Sequence, residues 1–597
     1  MRLRLISRAL VAFFILFLSQ VAECEEWDVK GDILRLSREA PSLLAFKDVD
    51  GIIWLSFHHY SLRSDGAMGK NHRRLIMLSD GEEAPEPIIL DRPADPGALF
   101  EVLEASWHDP ASGEKKGALV PAIPAPDEAG GVRIIIPAEA RGCVVALETS
   151  VVNPRKYYMD DLLVLAGNLP AWEQRVEVEI PQDIAFYWQG TGVRNPERVN
   201  ELGVEHIVWT ILNQPVWRSS GMLDEHPPTL VFSLRKGLGL HLAELRNLEN
   251  SFDASPIPKE VFSSGSAGSG NLQRIGDRIA SYMRGRVMAE DGSEARLSSW
   301  DGTLTAAKWL ESLGYGVRVF WSQSMPVNND GPDARGTWRE PVLIVDRGGS
   351  QDAFFSAGSD FGKLPPILYG APVYRYNGSD VQRMLLPRGN AAEHTLTQQW
   401  KLAIDENGVA TGTLEVTVTG GWMNVLSLSG GITSEDAARE IMRCVSFGVP
   451  GLSMEQASVQ ALGNGLRLSF DVRATLGIVS GGNILMRMPG GTPTSFADVP
   501  ADGDGFSFSF PFVFEQSAVI SIPKGYKAFA LPGKTQNGDT KASLEDSIVY
   551  WEKSGRIEAS SKWTVRSAVI DAPLSVRIGD QIARALRWSE TTVPLRK

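Results

Sequence analysis

Two long blocks of this chain alternate apolar and polar residues with a period of two, while a shorter block between them follows a helical period. That change of period constrains the fold most, because strand side chains alternate faces at every residue whereas a helix returns to one face every three or four. Before about Leu245, short apolar runs at 51–57, 73–78, 132–136, 143–147, 176–180 and 206–211 are separated by turn clusters. They predict a large antiparallel β domain. After Tyr376 strand signals return. Runs at 402–404 and 413–418 flank Asp405 to Gly408 as a hairpin. Further runs at 466–470, 506–514, 518–522 and 562–565 predict a C-terminal β-sandwich-like domain, and 433–444 reads as one capped helix within it.

The middle block begins with a Ser/Gly/Pro-rich linker at 255–270. Leu272, Ile275, Ile279 and Met283 then fall on one helical face, the spacing of a core-packing helix. A chain of 597 residues with 43% hydrophobic content is long enough for several cores. Its 59 basic and 72 acidic residues give a net charge of −13, a balance that excludes nucleic acid as the expected partner. The first eight residues are basic and residues 9–22 form an apolar run too short for a typical bilayer span. Residues 1–24 therefore read as a signal peptide cleaved after Cys24, with lipid anchoring at Cys24 as the alternative. The expected location is exported, periplasmic or envelope-associated, with no transmembrane span in the mature chain. Cys143 and Cys444 would remain, and spacing alone leaves open whether they pair.

Three stretches of the middle block fall in the order found in transglutaminase-like proteins. Residues 296–315 resemble that family's nucleophile helix, with Ser299 in the cysteine place. Trp338-Arg-Glu-Pro-Val-Leu-Ile-Val-Asp346 is similar to its histidine strand, with Glu340 in the histidine place. Phe354-Phe-Ser-Ala-Gly-Ser-Asp-Phe361 corresponds to the stretch bearing the orienting aspartate, which Ser356 replaces, and Leu364-Pro-Pro366 resembles the closing segment. The stretches at 134–150, 157–161, 176–181 and 227–233 are similar to the β domain that precedes such cores in bacterial envelope proteins. The resemblance implies an α+β multidomain chain: an N-terminal β domain over 25–250, a degenerate transglutaminase-like (papain-like) α+β core over 251–380, and the C-terminal β domain over 381–597.

Residues 252–376 contain neither cysteine nor histidine. Thiol acyl transfer needs a thiolate activated at a helix N-terminus and an imidazole base, so that chemistry cannot run here. The resemblance therefore implies a pseudoenzyme with no catalytic residues and no cofactor, its lost-triad positions being Ser299, Glu340 and Ser356. Ser298, Ser299 and Asp301 suit helix capping. The function this favours is non-catalytic binding or scaffolding in the cell envelope, with an extended polypeptide or a glycan, or other envelope proteins, as partners. Trp300, Asp301, Trp338 and Asp346 are the ligand-binding candidates, although the two tryptophans could equally plug the former site. The rival reading is an envelope hydrolase using Ser299 or carboxylates drawn from Glu340, Asp301, Asp346 and Asp360; a third leaves binding to the β domains.

Outside this block, His58, His59 and His72 raise the question of a metal site, but adjacent strand residues point to opposite faces and no metal is expected. Trp107-His108-Asp109-Pro110 reads as a turn. Intact-mass measurement of the exported protein should find a mature N-terminus at Glu25; a diacyl or triacyl adduct on Cys24 would establish the lipidated form, and an unprocessed chain would refute export.

Overall fold

The computed structural model describes residues 27–597 except 47–48, 82–84, 91–96, 123–131, 218–222, 224–225, 260, 262–271, 288–297, 326, 347–351, 427, 429–437, 439–440, 442–448, 463–464, 494–495, 497–498 and 500–504. The expected signal segment, Cys24, Cys444 and most of the residues of the expected 255–270 linker and 433–444 helix lie outside the described residues.

Among the described residues strands make up 46% and helices 19%, and no sheet closes into a barrel. The expectation of an α+β chain with a papain-like core is thereby corrected: the fold is β-rich. The sequence reading let one helix-bearing block set the class, whereas the long strands paired in the sheets before and after that block outweigh its helices. That middle part is a five-stranded antiparallel sheet in the order Ala353–Phe355, Trp338–Val345, Val317–Gln323, Pro372–Tyr376, Val381–Leu385. Helices Gly239–Ser251, Leu272–Val287 and Ser299–Ser312 contribute to the apolar cluster on one face, where Leu272, Ile275, Ile279 and Met283 are all buried, as their spacing predicts. Residues 364–371 cover the other face through Leu364, Leu368 and Tyr369.

The N-terminal part is an eight-stranded sheet in the order Glu197–Glu201, Val204–Gln214, Ala171–Pro181, Gly51–Leu62, Met68–Leu78, Val144–Asn153, Leu99–His108, Lys115–Ala118. It is mixed and not purely antiparallel, because Gly51–Leu62 pairs in parallel with Ala171–Pro181. A three-stranded sheet of Tyr187–Thr191, Thr229–Ser233 and Asp160–Val164 packs on its inner face around Tyr60, Val178, Trp209 and Phe232. The C-terminal part repeats this plan. The predicted hairpin, Thr395–Ile404 with Val409–Thr419, sits mid-sheet, and Thr395–Ile404 also pairs in parallel with Phe512–Ser521. Helix Ala572–Leu586 and a four-stranded sheet contribute to the same core, through Ile578, Ile582, Ile484 and Leu595. In each large sheet the first strand is flanked by its hairpin partner on one side and a parallel latecomer on the other.

His394 joins the middle part to the C-terminal sheet. Its Nε2–H donates to the Arg388 carbonyl at 2.9 Å, its Nδ1 accepts from the Gly421 N–H at 3.0 Å, and its ring meets Tyr369 edge-on. A second ring proton would point at the Gly421 donor in a fully buried site, and burial lowers the His394 pKa to about 4. The neutral ring is the folded form, so stability is full above the unfolded value near 6.5 and falls as the pH drops through 6.5 toward 4. The loss by pH 4 is on the order of 3 kcal/mol. Thermal unfolding should show His394→Gln less stable than wild type at pH 7.5, with the gap closing toward pH 4; a gap independent of pH would refute this role.

Candidate functional site

Helix Ser299–Ser312 is buried on most of its surface: Gly302, Thr303, Leu304, Thr305, Ala306, Ala307, Trp309 and Leu310 are all inside. Its small residues let the backbone approach the sheet, while Trp309 fills the far end and donates its indole N–H to the Ser255 carbonyl at 2.7 Å. The N-cap is Ser298, whose hydroxyl oxygen accepts from the Asp301 N–H at 3.1 Å and whose O–H donates to the Asp301 carboxylate at 2.7 Å. A cap of this kind contributes about 0.5–2 kcal/mol. Ser299 is thus the first helical residue and its side chain is released from capping.

The Ser299 hydroxyl donates to the Glu340 carboxylate. The two residues, 41 positions apart, are brought together by a β-bulge. Trp321 pairs with Pro341 but Gln323 pairs with Trp338, so three steps on one strand oppose two on its neighbour. The extra residue switches the alternation: Leu343 and Val345 face the helices, Val342 and Ile344 face away, and yet Trp338 also lies on the helix side. Glu340 is carried by the bulge to the helix N-terminus, and its backbone carbonyl accepts from the Ser322 hydroxyl at 2.9 Å. Burial raises the Glu340 carboxyl above its ordinary pKa, with Arg339 opposing the shift.

Ser356 does not join this pair. It is buried one residue beyond strand Ala353–Phe355, in a turn where the Ser359 hydroxyl donates to the Ser356 carbonyl at 2.8 Å. The link from this turn to the helix is Thr303, which the sequence reading missed. Its hydroxyl donates to the Ser299 carbonyl at 2.8 Å and accepts from the Ala357 N–H at 2.9 Å. A Thr one helical turn after Ser299 was the available signal.

The four ligand candidates part company. Trp338 is 6% exposed and packs edge-on against Tyr374, so it is a plug and not a groove wall. Trp300 is half-buried, edge-on to Trp321 with ring centroids 4.7 Å apart. Beneath it a buried network holds Trp321: its indole N–H donates to Glu249 at 2.8 Å, and Glu249 pairs with Arg246 at 2.5 Å. Asp301 is exposed in the first helical turn. Asp346 lies six residues past Glu340, roughly 20 Å along the strand, and its N–H donates to the Gly316 carbonyl. Asp360, the remaining carboxylate, pairs with Arg284 and lines a cavity of about 380 Å³ with Asp277, Ser281 and Lys363.

Elsewhere, His58 and His72 stack at 3.8 Å on the inner face of the N-terminal sheet, and Ser56 bonds His72 at 3.1 Å. Burial keeps both rings neutral and lowers His58 to about 3. His108 accepts from Ser106 at 2.7 Å, a serine neighbour the sequence reading overlooked; Ser106 is fully buried and His108 nearly so, beyond reach of a substrate. Cys143 is a buried free thiol. Among the described residues no helix is long and apolar enough to cross a membrane.

No family model and no curated protein matches the chain. A crystal structure of a putative protease from Parabacteroides distasonis is similar in fold, with 11% identity and a TM-score of 0.52 over 92% of this chain and 99% of that one. At this identity the likeness concerns the fold alone.

Because the folded-state pKa of Glu340 is raised, ionising it opposes folding above the unfolded value. Glu340→Gln should therefore raise the melting temperature at pH 7, an advantage that disappears as the pH falls below the ordinary glutamate range. An unchanged or lowered melting temperature at pH 7 would contradict the assignment.

Proposed function

We propose that this protein is a non-catalytic binding or scaffolding component of the cell envelope, an inactive relative of transglutaminase-like proteins. The contact between Ser299 and Glu340 carries the reading. A hydroxyl at the place of the nucleophile donates a hydrogen bond to a carboxylate, and the surrounding block offers no thiol to ionise and no imidazole to relay a proton. A helix N-terminus favours an anion, yet an alcohol gains far less from it than a thiol does, since its pKa lies too far above neutrality. The ligand surface we assign is the solvent-facing part of Trp300, with exposed Asp301 next to it in the first helical turn. An aromatic face beside a carboxylate suits an extended polypeptide or a glycan.

A hydrolase using Ser299 is the second reading, favoured by one observation: burial raises Glu340, and a carboxylate of higher pKa is a better base. The name of the Parabacteroides protein agrees with it. Treating the purified mature chain with a fluorophosphonate probe and assaying peptide and glycan turnover separates the two. We expect no labelling and no turnover, and Trp300→Ala should weaken capture of peptide or glycan from an immobilised panel at least fivefold while Ser299→Ala leaves it unchanged. Labelling that disappears in Ser299→Ala would replace the binding function with the hydrolase.

A further inference from the structure

The solvent-facing side of the N-terminal sheet gathers two histidines and two glutamates from three adjacent strands. His59 stands on Gly51–Leu62, Glu177 and Glu179 on Ala171–Pro181, and His206 on Val204–Gln214. Strand register brings them together: His59 lies beside Glu177 in the parallel pair, and Glu179 lies opposite His206 in the antiparallel pair. His59 Nε2 is 3.2 Å from Glu179 Oε1, while His206 Nδ1 is 3.4 Å from the same oxygen and 3.6 Å from Glu177 Oε1. Ligand atoms of His59, Glu177 and Glu179 all lie within 4.8 Å of one another.

We propose that this group is a binding site for a divalent first-row transition metal of the zinc class, with His59, Glu177 and Glu179 as the primary ligands and His206 as the fourth. At metal–ligand bonds of about 2.0–2.2 Å, a tetrahedral shell holds neighbouring ligand atoms roughly 3.3 Å apart, and the His–Glu distances fall on that spacing. Mixed imidazole and carboxylate donors suit zinc and its neighbours, whereas calcium and magnesium prefer oxygen alone. Two carboxylates balance the charge of a divalent ion. Arg175 binds Glu177 through Oε2 at 2.7 Å, which fixes that carboxylate and leaves Oε1 turned toward the cluster, the kind of outer support that metal-binding carboxylates receive. Each side chain is 15–31% exposed, so an ion can enter and a water can complete its shell. The ligands stand on paired strands inside one sheet, so little ordering is needed on binding.

The same contacts would also serve a plain histidine–glutamate pairing, and titration distinguishes the two. The mature chain, free of any histidine tag and stripped with EDTA, is titrated with zinc chloride by calorimetry, and with cobalt(II) by visible absorption. We expect one equivalent to bind, a melting temperature that rises with zinc, and a cobalt spectrum of four- or five-coordinate nitrogen–oxygen type. Glu179→Gln and His59→Ala should each weaken binding at least tenfold and abolish the zinc-dependent rise, and millimolar magnesium or calcium should not compete. His206→Asn, at the rim of the group, should weaken binding less and keeps the test informative if a central variant fails to fold. Absence of stoichiometric binding by the wild type, or unchanged zinc affinity in the His59 and His206 variants, would overturn the proposal.

Discussion

The enclosure of helix Ser299–Ser312 is the constraint on which the middle of this molecule depends. A helix buried on most sides has to meet a sheet whose strands offer an apolar face along its whole length, and Val319, Trp321, Leu343 and Val345 provide it. Enclosure also presses the first helical turn against strand Trp338–Val345. The residues meeting there are placed by backbone packing before any chemistry is considered. A serine and a glutamate occupy those places. The scaffold thus keeps two positions in contact whether or not their side chains can react.

What the pair can do follows from its types. A thiolate and an imidazolium stabilise each other at neutral pH because their ordinary pKa values lie close to it. A hydroxyl and a carboxylate do not exchange a proton in that range, so the contact is a hydrogen bond in the ground state and a structural link between helix and strand. Thr303 continues that link to the 356–359 turn, so that the Ser299 and Thr303 hydroxyls together tie strand, helix and turn. Trp338 and Trp321 fill the volume below, and only Trp300 retains a solvent-facing part.

The N-terminal sheet treats polar residues differently on its two faces. Inside the N-terminal part, His58, His72 and Ser56 are stacked and bonded where burial forbids charge, and the nearby Lys70 is paired with Asp161 at 2.6 Å. On the outward face of the same sheet, His59 and His206 meet carboxylates with access to solvent. Residues adjacent in sequence, His58 and His59, therefore belong to opposite chemical settings because the pleat sends them to opposite faces.

The sequence by itself determined the local periods: the strand runs at either end, the hairpin turning at Asp405 to Gly408, the helix carrying Leu272 to Met283, and the want of thiol and imidazole between residues 252 and 376. These are set by side-chain spacing and residue type, which need no knowledge of partners. It also named Ser299 and Glu340 as counterparts, though only by resemblance, and it left Trp338 open between groove wall and plug, since a tryptophan on a strand reads alike whether it faces a groove or a core. Tertiary structure decided the rest. The β-rich class, the parallel pairs within both eight-stranded sheets, the bulge that turns Glu340 to the helix, and the meeting of His59 with Glu177, Glu179 and His206 all come from pairing between segments far apart in the chain. A one-residue shift of register reverses every face, and no local pattern records which strand will be the neighbour.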